Sequence, residues 1–188
     1  MFVICAALVA VSGCTNTSQA TSAGSPDTTQ TSGAHMAGPA AEVHVTQEAV
    51  DATPHPWVLA TPESAIRSCL DWTAYAYRVG QSRLASSTMT PSEMVRVDAY
   101  IQYNIEKQRL IDQKLDSLTL GALSATSTST IIPGVEVWTY SYLSTGVGNP
   151  VLGGPYSATY DTTYTVVQSE DGTWLVDSVK ATARGTVK

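Results

Sequence analysis

Two carboxylates head the residues whose types suit chemistry, Asp71 and Asp98. Each falls on an expected helix, and a carboxyl group taken out of water can hold its proton long enough to act as an acid or base. Against this stands plain exposure, or pairing with Arg67, Arg78 or Arg96. Cys69 falls on the apolar face of the first expected helix, where a thiol behaves as a small hydrophobe. With no histidine beside it, the thiol has no evident activator. The three histidines, His35, His44 and His55, all precede the expected domain and are spaced like no helical or finger metal site. The domain then lacks the commonest general base. No G-x-S-x-G, S-x-x-K, H-E-x-x-H or C-x-x-C occurs, and Gly146-Val147-Gly148 lacks the third glycine of a dinucleotide loop. We therefore expect no cofactor and no metal.

The aromatic residues have more content. Trp138, Tyr140 and Tyr142 alternate along one expected strand, and Tyr156, Tyr160 and Tyr164 along another. Tyrosine offers apolar area and a hydroxyl at modest entropy cost, which suits a binding surface as well as cross-strand packing. A ligand-lined interior draws from Trp72, Tyr100, Trp138, Tyr160 and Tyr164, with Asp71 and Asp98 as its acids.

The elements that must hold these residues follow from local signals. In Thr61-Pro62-Glu63, Thr61 can cap a helix, Pro62 suits its first position and Glu63 complements the dipole. Ile66, Cys69, Leu70, Thr73, Ala74 and Tyr77 share a face, and Gly80 closes the helix. Thr90-Pro91-Ser92-Glu93 starts a second helix with a capping box. Its stripe Met94, Val97, Ile101, Ile105 and Ile111 predicts an end near Leu115, with Glu106, Arg109 and Asp112 as a solvated charged face. Alternation then predicts four strands: Leu118 to Ser127, Val135 to Tyr142, Tyr156 to Gln168 and Trp174 to Ala183. Gly146 to Pro155 reads as a loop and Asp171-Gly172 as a hairpin turn. A two-residue turn sets Tyr164 opposite Val179 and Val167 opposite Val176, and a bulged turn slips this by one; the sequence leaves both open. The fold class is α+β, with helices packed on one face of an antiparallel sheet.

The chain has 188 residues and a net charge of −6. That suffices for one domain with an appendage, and an acidic balance argues against a nucleic-acid partner. Residues 15–56 are dominated by Thr, Ser, Ala, Gly and Pro, without an aromatic residue, and read as a disordered linker before a domain at 57–188. The linker carries −4 and the domain −2, so the acidity belongs mostly to the linker. Met1 to Val11 is apolar but too short to span a bilayer, and fits the apolar region of a secretory signal over residues 1–13, although no Lys or Arg precedes it. Cys5 would leave with that signal, and Cys69 is the one cysteine of the expected domain.

Two resemblances add to this. Val11-Ser12-Gly13-Cys14 resembles the lipobox of bacterial lipoproteins, which implies a diacylglycerol on Cys14, cleavage before it, and an extracytoplasmic protein held to the membrane. Tyr156-Ser157-Ala158-Thr159-Tyr160, Tyr164-Thr165-Val166-Val167 and Glu170-Asp171-Gly172-Thr173-Trp174-Leu175-Val176-Asp177 resemble the closing hairpin of nuclear-transport-factor-2-like domains. Within that superfamily the look is closest to the domain of plastid division proteins, and Ala65 to Trp72 is consistent with its first helix. The resemblance implies a cone: a curved sheet wrapped around helices. Members include isomerases, dehydratases and non-catalytic modules that bind proteins or small molecules. The enzymes usually have a His and an Asp, or paired acids, inside the cone. The expected function is therefore a tethered, non-catalytic module with an envelope protein or a small apolar ligand as partner. The other reading is a small-molecule enzyme using Asp71 or Asp98.

Overall fold

The computed structural model describes Val43, His44, Thr46, residues 53–126 and residues 129–185. The apolar amino-terminal run, Cys14, His35 and most of the expected linker lie outside the described residues. The elements are α1 (Pro62–Val79), a 3-10 helix (Ser82–Thr88), α2 (Pro91–Glu106), β1 (Arg109–Leu120), β2 (Ser124–Ala125), β3 (Ser129–Ser144), β4 (Val151–Gln168) and β5 (Trp174–Ala183). The architecture is α+β, as the alternation and capping signals imply.

Local signals fix α1. The Thr61 side chain accepts from the Ser64 N–H, the Ser64 hydroxyl accepts from the Thr61 N–H, and Gly80 ends the helix at φ 70°. A Cβ at Gly80 would lie 3.1 Å from Leu110 Cδ2, so both conformation and space require glycine there. The helix buries Ala65, Ile66, Cys69, Leu70, Ala76 and Val79.

Helix α2 starts where expected, with Thr90 capping Glu93, but it stops at Glu106 rather than near Leu115. Residues 109–120 form β1. The apolar stripe explains the difference: Val97, Ile101 and Ile105 step by four, whereas Ile105 to Ile111 is six, which is no helical step. Leu110 and Ile111 are both buried, a pattern suited to a strand between layers. Glu106, Arg109 and Asp112 therefore do not share a helical face. Arg109 Nε donates to Asn104 Oδ1 at 2.8 Å, and Asp112 accepts from Arg78 at 3.1 Å.

The sheet runs β1-β3-β4-β5, all antiparallel, and the two-residue β2 pairs with β3. Strand β3 begins at Ser129 and β4 at Val151, both earlier than alternation suggests. The expected loop from Gly146 to Pro155 shortens accordingly, because Gly153 pairs with Tyr142 and Val151 with Leu143. Both registers left open for the last hairpin occur. Tyr164 faces Val179, a bulge between Thr165 and Val166 shifts the ladder by one, and Val166 then faces Val176. Bulges also interrupt β1 at Leu115/Ser117 and β3 near Tyr142. A bulge bends its strand and increases the twist, which curves the sheet toward the helices.

The core lies between that concave face and the helices: Ile66, Cys69, Val97 and Ile101 from the helices meet Ile132, Trp138, Tyr164, Val166 and Val176 from the sheet. Contacts with the domain also reach back before residue 57. The His44 N–H donates to the Thr145 carbonyl at 3.1 Å, and Val43 packs against the core. Trp72 Nε1 donates to the His55 carbonyl, and Thr53 to the Tyr75 hydroxyl. Two of the three histidines thus touch the fold, through backbone contacts that residue composition does not reveal.

Candidate functional site: the concave face of the sheet

Side chains alternate along β3, so Ile132, Gly134, Glu136, Trp138 and Tyr140 point to one face. That face holds Ile132, Glu136 and Trp138 out of water, so it is the inner one. In β4 the inner set includes Ala158, Tyr160, Thr162 and Tyr164. The register sets Glu136 opposite Tyr160, Trp138 opposite Ala158 and Tyr140 opposite Tyr156.

The deep end is built around Glu136, which is 6% exposed. The Tyr164 hydroxyl donates to one carboxylate oxygen, and Trp138 Nε1 donates to the other at 2.5 Å. Tyr164 sits two register steps from Glu136 and reaches it across Gly134. A Cβ at Gly134 would lie 2.9 Å from Thr162 Oγ1 and 3.1 Å from the Tyr164 ring, so the missing side chain opens the path. A buried carboxylate is costly unless hydrogen-bonded, and here both oxygens have a donor. Burial pushes the Tyr164 hydroxyl well above its ordinary range, and the neighbouring Glu136 charge adds to this. The Cys69 thiol is pushed up to about 12, chiefly by burial. It is therefore protonated and unreactive at neutral pH.

The open end is different in kind. Tyr140, Tyr142 and Tyr156 cluster with ring centroids 5.4 to 6.1 Å apart. The Arg109 guanidinium lies 4.2 Å above the Tyr142 ring, a cation–π contact. Asn104 steadies it: its amide donates to the Tyr100 carbonyl while its oxygen accepts from Arg109. Tyr100 stacks edge-on with Tyr77 at 5.4 Å, and burial raises its pKa. Tyr160 lies between the two ends, its hydroxyl pushed up to about 12 by burial and then by surrounding tyrosines. These tyrosines are half-buried, with part of each ring in water. A crevice beside Tyr77, Ile101, Asn104 and Arg109 is too narrow for a water molecule.

Four of the sequence-expected residues, Tyr100, Trp138, Tyr160 and Tyr164, line this interior. Three do not. Trp72 is half-buried at the margin of the core, edge-on to Trp57 and Tyr75 rather than on the inner face of the sheet. Asp71 is exposed; partial burial raises its pKa and the charges of Arg67 and His55 lower it. Asp98 is half-buried and accepts from Ser82 at 2.5 Å. Among the described residues two glutamates are deeply buried, Glu93 and Glu136, and the one on the inner face of the sheet is Glu136. Its signal was the alternation itself, since Glu136 shares the face of Trp138.

No protein-family model matches the chain, and no curated protein matches it in sequence. Solved structures do resemble it. The intermembrane space region of the chloroplast protein ARC6 matches with a TM-score of 0.56 at 13% identity, over 70% of this chain and 100% of that one. The fold is shared with that chloroplast region. Looser likenesses, at TM-scores of 0.45, are a nuclear transport factor 2 (NTF2-like) superfamily protein from Salmonella enterica serovar Typhimurium and a conserved protein from Planctomyces limnophilus. They cover 67% and 65% of this chain and 95% and 97% of theirs, at 8% and 14% identity. The expected α+β fold, akin in look to a plastid domain, agrees with the ARC6 likeness. Among the described residues, no helix is long and apolar enough to cross a membrane.

Proposed function

We propose that the chain is an extracytoplasmic lipoprotein, held to a membrane through Cys14, whose cone domain is a binding module rather than an enzyme. The binding part rests on one observation, the half-exposed cluster of Tyr140, Tyr142 and Tyr156 under the Arg109 guanidinium. Rigid aromatic faces beside an oriented cation suit a protein segment or an apolar ligand with an acidic group. The deep carboxylate supports the same reading from the other side. Both Glu136 oxygens already accept from protein donors, so a substrate reaching it would first have to displace Tyr164 or Trp138.

The anchoring part rests on the lipobox-like Val11 to Cys14 and the Thr/Ser/Ala/Pro-rich stretch that follows. Two acyl chains on Cys14 hold a protein durably, since each buried CH₂ contributes about 0.8 kcal/mol. Detergent phase partition of the wild type and Cys14→Ala tests it. The wild type should enter the detergent phase and Cys14→Ala the aqueous phase; equal partition would overturn the anchor. For the binding part, cross-linking of the wild type in its own membranes should capture a partner that Tyr142→Ala combined with Arg109→Ala loses.

A second reading has one observation in its favour: Glu136 is an acid inside the cone of a fold that also serves enzymes. There Glu136 is the acid–base and Tyr164 its partner, in place of Asp71 or Asp98. Glu136→Gln should then abolish turnover of the substrate while leaving its binding intact.

A further inference from the structure

The hairpin joining β3 to β4 has a composition unlike the rest of the domain. From Val137 to Tyr160, 24 consecutive residues include no Asp, Glu, Lys, Arg or His. At its tip Val147 is 81% exposed, Val151 66% and Leu152 58%. Three aliphatic side chains in water at one end of a hairpin, Val147 in the turn and Val151 and Leu152 at the start of β4, form a patch of the kind that marks an interaction site. Cations flank it. The Thr145 N–H donates to the Gln108 carbonyl, which brings the turn after α2 against the hairpin. That turn carries Lys107, over the Tyr103 ring at 5.7 Å, and Arg109, over Tyr142. Tyr103 is itself 44% exposed. The one acid on this turn is the exposed Glu106.

The same end receives the chain from its amino terminus. The His44 N–H pairs with the Thr145 carbonyl, so the segment that leads back toward Cys14 leaves the domain beside this hairpin. An aliphatic tip, a belt of tyrosines and flanking cations together match the layers of a bilayer surface: acyl chains, interface and anionic headgroups.

We propose that this end of the domain docks on an anionic bilayer, with Val147, Val151 and Leu152 inserted below the headgroups and Lys107 and Arg109 on their phosphates. The orientation rests on the tether reading, because a lipid on Cys14 brings the hairpin end to the membrane first. Only 28 residues separate Cys14 from Val43 in the sequence, so a lipid on Cys14 holds the tip at high local concentration near the surface.

The test removes the anchor so that the two readings fail separately. A chain starting at Thr15 omits the apolar run and Cys14 and keeps every residue of the core, since the core cluster runs from Ala65 to Val176. It is sedimented with vesicles of phosphatidylglycerol and, separately, of phosphatidylcholine. We expect co-sedimentation with the anionic vesicles, weakened by salt. V147D combined with L152D should reduce it by about tenfold, as charges at an inserted tip must. L123D, at the other end of the sheet and also exposed, should leave it unchanged and controls for surface charge alone. Thermal unfolding of the tip variant should match the parent, because both positions are exposed. Failure to sediment with anionic vesicles, or sedimentation that the tip variant does not reduce, overturns the docking surface and points to a protein occupant. Neither outcome bears on Cys14, which detergent partition tests by itself.

Discussion

The two ends of the concave face use the same strands, the same alternation and largely the same residue types, yet they do opposite things with their polar atoms. At the deep end Glu136, Trp138 and Tyr164 turn their donors and acceptors on one another. At the open end Tyr140, Tyr142 and Tyr156 stack by their rings, with part of each ring in water. Burial explains the contrast. A polar group far from water must find a protein partner, whereas one at the rim keeps water until a ligand replaces it. The deep end therefore contributes stability and a fixed shape, and the rim is left for recognition.

The largest effect that would break this contrast is at Tyr164. Tyr164→Ala should cost about 3–5 kcal/mol in denaturant unfolding, as loss of a fully buried ring does. Tyr164→Phe keeps the ring and leaves one Glu136 oxygen without its donor, for a loss of about 1–3 kcal/mol. Tyr142→Phe, the same change at the rim, should stay within about 0.5 kcal/mol. Equal losses at the two positions would erase the distinction. Gly134→Ala forces a methyl group against Thr162 and the Tyr164 ring, and should cost about 1–3 kcal/mol by overpacking.

Titration sharpens the comparison further. The folded Cys69 thiol holds its proton up to about 12, while the unfolded thiol loses it from its ordinary 9.0. Tyr160 behaves alike, from 10.0 to about 12. In each case the unfolded state binds fewer protons in that window. Stability is therefore full below 9.0 and falls as pH rises toward about 12. Cys69→Ala should flatten the first part of that decline in unfolding curves taken across the alkaline range. The smallest effect lies at the exposed turn. Ser169 and Thr173 hold Asp171 down at about 2, so its contribution is present above 3.8 and is lost as pH falls through about 2. Asp171→Asn should remove that slight acid dependence and, because the turn is exposed, lower stability at neutral pH only slightly.

What the sequence made legible follows from range of interaction. The caps at Thr61, Thr90 and Gly80 are set by neighbours within four residues, and their signals are local. Strand β1 was hidden because its ladder partners in β3 are 14 to 35 residues away in sequence. Ile111 prolongs the apolar series of α2, and only its six-residue separation from Ile105 sets strand apart from helix. Glu136 was hidden by its charge, which suggests solvent, although Trp138 two residues later fixes the face it shares. Asp71 and Asp98 have the chemistry of an acid, but they lie on the helix surfaces, which charge alone does not reveal. The contacts of His44 and His55 are made by backbone groups, on which side-chain composition is silent.

Exchange of the four tryptophan indole protons with water tests the central claim most directly. Trp138 donates its proton to Glu136 inside a closed interior, whereas Trp57 is 45% exposed. The account predicts that the Trp138 proton exchanges only through global unfolding, orders of magnitude more slowly than that of Trp57. Exchange of Trp138 as fast as Trp57 in the folded protein would contradict it. The cone would then open to water at its deep end, as a ligand chamber must, and recognition would belong inside rather than at the rim.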